Sequence, residues 1–195
     1  AGIAQVSARL DNNAAINADP ITFSGDPATA VVSTLTPDKL TALANGSDPV
    51  TYDALVVDAN NNAVSGVAIT LSTDRGTLAA PTGVTNAEGH YLTTLTSTER
   101  GEAIVSATIP NQPAKTAQTV TFTADANSAT VTALTVNKRL VLANGTDQAI
   151  YTATVTDAQG NPVANQTVNW TTGFGTLSAP ASTTGTDGTA TISLT

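Results

Sequence analysis

The chain has 195 residues, of which 41% are hydrophobic, 4% aromatic and 11% charged, with a formal net charge of −8 and no cysteine. The missing cysteines exclude a disulfide framework and thiolate metal sites. The acidic balance argues against nucleic-acid binding and against electrostatic attachment to anionic lipid, both of which need basic patches.

The chain repeats itself. Thr22-Phe23, Ala44-Asn45-Gly46, Tyr52, Asp58-Ala59, Gly76-Thr77-Leu78 and Gly89 return 99 positions later as Thr121-Phe122, Ala143-Asn144-Gly145, Tyr151, Asp157-Ala158, Gly175-Thr176-Leu177 and Gly188. An ungapped period near 100 is too long for a solenoid unit and fits one small domain copied in tandem. Gly101, Ala103 and Val105-Ser106-Ala107 match Gly2, Ala4 and Val6-Ser7-Ala8. The frame therefore reads residues 1–25 as the terminal strand pair of a preceding repeat, 26–124 as a complete repeat and 125–195 as a repeat lacking its last strands. The chain begins at Ala1 without Met, signal peptide or long apolar run, so no targeting segment is read from it.

Taken in chain order, the elements are strands. Val32 and Leu35 open the complete repeat. Thr36 to Leu40 has the composition of a single helical turn. Tyr52, Ala54 and Val56 alternate with polar residues, as Tyr151, Ala153 and Val155 do against Thr152, Thr154 and Thr156, which points the Tyr-Ala-Val side inward. Asp58 to Asn62 and Asp157 to Pro162 are turns of hairpin chemistry. Ile69 and Leu71, matched by Val168 and Trp170, lie on a central strand. Leu78, then Tyr91, Thr93 and Leu95, then Ala103, Val105 and Ala107, then Val120 and Phe122 give further inward sets. About seven strands separated by turns predict a β-sandwich with Tyr52, Val56, Leu71, Tyr151, Val155 and Trp170 in its core. Asp125 to Ser128 is a short polar joint, so the fold class is all-β: tandem immunoglobulin-like sandwiches joined end to end.

The runs Leu142-Ala143-Asn144-Gly145-Thr146-Asp147, Tyr151 to Asp157, Gly160-Asn161-Pro162-Val163, Val168-Asn169-Trp170, Gly175-Thr176-Leu177-Ser178 and Gly188-Thr189-Ala190 together resemble a bacterial immunoglobulin-like domain of the group 1 type. Both copies fit, so the resemblance covers almost the whole chain. The first copy departs at Asn61, where Gly is usual, and at Ala63, where Pro is usual. Such modules form the extracellular stalks of the intimin and invasin adhesins of Gram-negative bacteria. The resemblance implies a spacer on the bacterial surface, anchored to the outer membrane through a region other than this one. The partners it implies are neighbouring repeats, and a host receptor or glycan bound through other parts of the protein. The alternative is a module that itself binds a receptor, a glycan or its own kind. Leu55 and Leu92, replaced by Thr154 and Thr191 in the second copy, are the residues to watch there. A further expectation is strand complementation, in which residues 1–25 of one molecule complete the 125–195 repeat of another.

Candidate chemistry is sparse. His90 is the single histidine and becomes Thr189 in the second copy, so a structural place outweighs a catalytic one. Asp58 and Asp157, Asp48 and Asp147, and the junction residues Asp26, Asp125 and Asn127 could ligate Ca²⁺. The EF-hand spacing is absent, however, and an Asp at a turn entrance ordinarily accepts backbone hydrogen bonds. Lys39 and Lys138 lie near Asn45 and Asn144, the residue types of a Lys–Asn cross-link, but nothing assembles an acid beside them. No catalytic, cofactor or metal residue is assigned and no cofactor is expected. Direct membrane insertion by this segment is not expected either.

Overall fold

The computed structural model describes all of residues 1–195. Its strands are β1 (Gly2–Ala4), β2 (Ser7–Ala8), β3 (Ile16–Asn17), β4 (Ile21–Phe23), β5 (Val31–Pro37), β6 (Thr41–Leu43), β7 (Val50–Val57), β8 (Ala68–Thr73), β9 (Thr77–Leu78) and β10 (Thr82–Val84). They continue as β11 (His90–Thr96), β12 (Gly101–Ala103), β13 (Val105–Thr108), β14 (Lys115–Thr116), β15 (Val120–Thr123), β16 (Thr130–Val136), β17 (Ala149–Thr156), β18 (Thr167–Asn169), β19 (Ala181–Thr183) and β20 (Thr189–Leu194). The helical content is two short 3-10 turns, Pro27–Thr29 and Ala126–Ser128. Each is capped by the preceding aspartate, whose carboxylate accepts a backbone N–H two residues on.

By proximity the chain divides into two compact units. One comprises Ala1–Leu40, Val50–Leu95 and Ala103–Val120; the other comprises Thr41–Pro49, Thr96–Glu102 and Thr121–Thr195. The first unit holds two four-stranded sheets, ordered β5-β7-β11-β9 and β10-β8-β13-β14. β13 and β14 also contact β5, which closes the sandwich. Tyr52, Ala54 and Val56 point inward from β7 and are fully buried, and Leu71, Leu95 and Val105 are buried as well. Pairing across β7 requires residues of alternating character, and Tyr-Ala-Val against polar neighbours supplies it. In the second unit β16-β17-β20 form one sheet, β18-β19 a second, and β15 pairs with β6 in parallel. Its core gathers Ala153, Val155, Val163, Val168 and Ala190, with Trp170 packed at the margin.

The two copies keep register down to their irregularities. β5 meets β7 with a bulge between Val32 and Thr34, and β16 meets β17 with a bulge between Val131 and Ala133. Asn61 and Gly160 both adopt positive φ, at 59° and 84°. At the next such position the residues trade places, with Gly66 at 71° and Asn165 at 59°. Gly and Asn are the residues that tolerate this region, so the departure at Asn61 leaves the turn intact. Ser7 faces Asn17 and Ala8 faces Ile16, as Ser106 faces Thr116 and Ala107 faces Lys115. Residues 1–25 thus form two strand pairs, β1 with β4 and β2 with β3.

One expected element is corrected. Thr36 to Leu40 makes no helical turn: Thr36 and Pro37 end β5, paired to Asp53 and Tyr52. The sheet contacts outweigh a weak local preference.

Candidate functional site

Asp58 enters the turn after β7 and is almost fully buried. Its Oδ1 accepts the N–H groups of Asn60 and Asn62, each at 2.8 Å, and its Oδ2 accepts the N–H of Asp26 at 3.0 Å. The Asn62 amide nitrogen donates to both carboxylate oxygens. The Asp26 N–H, then the Asn62 side chain and backbone, hold the Asp58 carboxyl at a pKa of about 2.

Asp157 repeats the arrangement with Gln159, Asn161 and Asp125, at 2.9, 2.8 and 3.1 Å. Burial pushes the Asp157 carboxyl up, but the hydrogen bonds from Asn161, Asp125 and Gln159 outweigh it and leave the group below the usual carboxylate range. Asn161 also reaches across the second unit. Its Oδ1 accepts the Arg100 N–H at 2.9 Å, and its Nδ2 donates to the carbonyls of Thr98 at 2.9 Å and Ala44 at 3.4 Å. The Arg100 guanidinium donates to the Pro162 carbonyl at 2.9 Å. In the first unit the amino group of Ala1 donates to Asn62 Oδ1, 99 positions earlier.

The remaining candidates are ordinary turn and surface groups. Asp48 and Asp147 accept the N–H groups of Leu43 and Leu142 at 2.7 and 2.8 Å. Asn45 and Asn144 each accept two N–H groups of their own turns. Lys138 pairs with Asp147, and this bond, then the Leu142 N–H, lowers the Asp147 pKa. The Asp26 and Asp125 carboxylates cap their 3-10 turns. No three His, Cys, Asp or Glu residues cluster as a metal cage would require. His90 Nδ1 lies 2.7 and 3.0 Å from the two oxygens of Asp53, at a partly exposed position across β11 and β7. Thr189 and Thr152 stand at the matching places, so the pair is replaced as a unit.

Tyr52, Val56, Leu71 and Val155 are buried, whereas Tyr151 and Trp170 are half-buried. Trp170 Nε1 donates to Ser182 Oγ at 2.9 Å. Leu92 is 58% exposed and faces Asp53, with half-buried Leu55 beside it opposite His90. The sequence reading missed Asn62 and Asn161. Their signal is an Asp followed four residues later by Asn, present in both copies at the same offset.

These features define a class: thiol-free immunoglobulin-like β-sandwiches repeated along one chain and organised around buried Asp–Asn turns. The sequence pattern of the family described as Bacterial Ig-like domain (group 1) matches residues 32–123 and 131–195. The chain is 35% identical over 176 residues to the inverse autotransporter adhesin YeeJ of Escherichia coli (strain K12), covering 87% of this chain and 7% of YeeJ. It is 37% identical over 170 residues to intimin of Escherichia coli O157:H7, covering 84% of this chain and 18% of intimin. The structure of the Escherichia coli adhesin FdeC aligns over 100% of this chain and 65% of that one, with a TM-score of 0.61 and 24% identity, a likeness of fold. The chain belongs to the bacterial immunoglobulin-like domain (group 1) family, as found in the intimin and invasin adhesins. It spans between 7% and 18% of the length of those two curated relatives.

Proposed function

We propose that these repeats are spacers in the extracellular part of a bacterial adhesin anchored to the outer membrane elsewhere in its chain, holding a distal binding region away from the cell. The frame behind this reading is a complete repeat over 26–124, flanked by the end of one repeat and the start of another. The observation that carries it is the recurrence itself. Strand register, bulges and the Asp–Asn turns are kept between copies, whereas the one pair with chemical character, His90 and Asp53, is not. A spacer needs the first set and not the second, and an enzyme needs the reverse. No helix is long and apolar enough to cross a membrane. Small-angle scattering of the purified chain tests the reading. A radius of gyration well above the roughly 16 Å of a compact body of this length supports a spacer, and a value near it counts against one.

A second reading rests on Leu92. Its exposure beside Leu55, with Thr at both places in the second copy, marks a small apolar patch peculiar to the first repeat. Specific binding of the fragment to host cells or glycans that disappears in Leu92→Thr would favour an adhesive role for that repeat. Unchanged binding in the variant, or none at high concentration, retires it.

A further inference from the structure

The boundary between the two compact units does not follow the repeat frame. The loops Thr41–Pro49 and Thr96–Glu102 belong by sequence to the first copy, yet they group with Thr121–Thr195. The parallel pairing of β6 with β15 brings the first of them there, and Asn161 adds side-chain bonds to both. It is 7% exposed, and its amide is used on both sides: Oδ1 accepts Arg100 N–H while Nδ2 serves the Thr98 and Ala44 carbonyls and the Asp157 carboxylate.

The loops that it holds are themselves joined. Gly46 donates to the Ser97 carbonyl at 2.9 Å, and Ala44 donates to the Thr123 carbonyl at 2.7 Å. Loops, β15 and the turn thus form one hydrogen-bonded block. Only a short side chain carrying both an acceptor and a donor pair meets these demands, which restricts the position to Asn. Asp offers no donor when ionised, and Leu offers neither. At the matching turn of the first copy the terminal amino group of Ala1, 99 residues before Arg100, donates to Asn62 Oδ1.

We propose that the Asp157–x–x–x–Asn161 turn is a docking socket for the paired end loops of the repeat that precedes it, with Asn161 as the residue that recognises those loops. The proposal deepens the spacer reading by naming the surface through which successive repeats are joined. The kind of partner it fits is a loop pair presenting one free N–H and two free carbonyls. The Asp157 carboxylate positions Asn161 by accepting its amide hydrogens and its backbone N–H. Arg100 adds a peripheral bond to Pro162.

The test is amide hydrogen exchange, followed by NMR on the whole 195-residue chain. In Asn161→Ala the Arg100 amide loses its acceptor and its protection falls about tenfold or more, while the β7 amides of Tyr52 and Ala54 keep theirs. Asn161→Leu, alike in branching and without polar side-chain atoms, is the second variant and has the same expected result without leaving a cavity. Asn62→Ala, altered at the matching turn, leaves Arg100 protected. Arg100→Ala keeps the backbone donor and changes protection of that amide by less than threefold. Unchanged Arg100 protection in both Asn161 variants overturns the proposal, as does a uniform rise in exchange that includes β7. Scattering on the wild type reports separately on the spacer reading: a compact wild type with Arg100 deprotected in Asn161→Ala keeps the socket and removes the spacer.

Discussion

The two copies are folded alike and packed differently. Leu35 on β5 is 4% exposed, and Leu134, its counterpart on β16, is 61% exposed; Val32 and Val131 stand at 9% and 56%. Both strands nevertheless carry the same bulge and pair with the same partner strand. In the first copy β13 and β14 lie against β5. At the 99-residue offset the counterparts of those two strands would fall at 204–215, outside the 195 residues, so β16 is seen without the strands that face β5. Register and turn geometry are therefore local properties of each sheet, set by alternation and by turn residues. Burial is a property of what lies across the sandwich. The difference reaches the aromatic anchors as well, with Tyr52 enclosed and Tyr151 half open.

The sharpest way to break this comparison is at the matched leucines. Leu35→Ala removes a buried side chain and is expected to cost about 2–5 kcal/mol, whereas Leu134→Ala costs about 0.5 kcal/mol or less. Urea denaturation read by amide exchange in β7 and by Trp170 fluorescence compares the two, because Trp170 is the single tryptophan and lies in the second copy. Equal losses would show that packing does not separate the copies.

Next come positions where the copies should agree. Gly89 and Gly188 have φ of 77° and 75°, and a Cβ at either would lie 2.6 Å from the Val56 or Val155 carbonyl oxygen. Gly89→Ala and Gly188→Ala should each cost about 2 kcal/mol or more by the same measurements, because the strain is local to a turn that both copies share. A large loss in one and none in the other would mean that the turns are not equivalent.

A smaller effect of opposite sign is expected at Tyr52. Its hydroxyl is buried without a hydrogen-bond partner, and burial, then Asp38 and Asp74, push its pKa up to about 12. Tyr52→Phe deletes an unsatisfied group and should stabilise the first repeat by about 1 kcal/mol. Tyr151→Phe, at a half-open site, should change stability by no more than about 0.5 kcal/mol. A destabilised Tyr52→Phe would reveal a hydrogen bond at that hydroxyl.

The smallest effect is acid sensitivity. The folded-state pKa of Asp58 is depressed to about 2, below the ordinary aspartate value of about 3.9. The stability it contributes is complete above about pH 4 and fades as the pH falls towards 2. Melting temperatures recorded from pH 7 to pH 2 should fall through that window and fall less steeply in Asp58→Asn. Parallel curves would exclude this carboxylate as a source of the acid sensitivity.

The fold was largely legible because its signals are local and doubled. Tyr52-Ala54-Val56 and Tyr151-Ala153-Val155 announce the same strand twice, and the Thr residues of the second copy reveal which face is outward. Thr36 to Leu40 misled because Pro-Asp composition is read without its partner, and Pro37 is held by Tyr52 from fifteen residues away. The roles of Asn62 and Asn161 stayed hidden for a related reason. Asn161 bonds to backbone groups about sixty residues off and Asn62 to the Ala1 amino group, and such groups carry no residue identity to read. The pairing of His90 with Asp53 was within reach, since both become threonine together. The half-open state of Tyr151 and Trp170 depends on which strands cover them, and no pattern within their own strand encodes that.

The strand pairs at residues 1–25 carry one more consequence. The pair β2–β3 has the register of β13–β14, while Phe23 is 60% exposed and Phe122, 99 residues on and paired with Ala42 of β6, is 1% exposed. The chain thus holds near-twin keys for one kind of lock, and renaturation becomes a contest between them. Errors of that contest should multiply when molecules are crowded, so dilution during refolding is the natural safeguard.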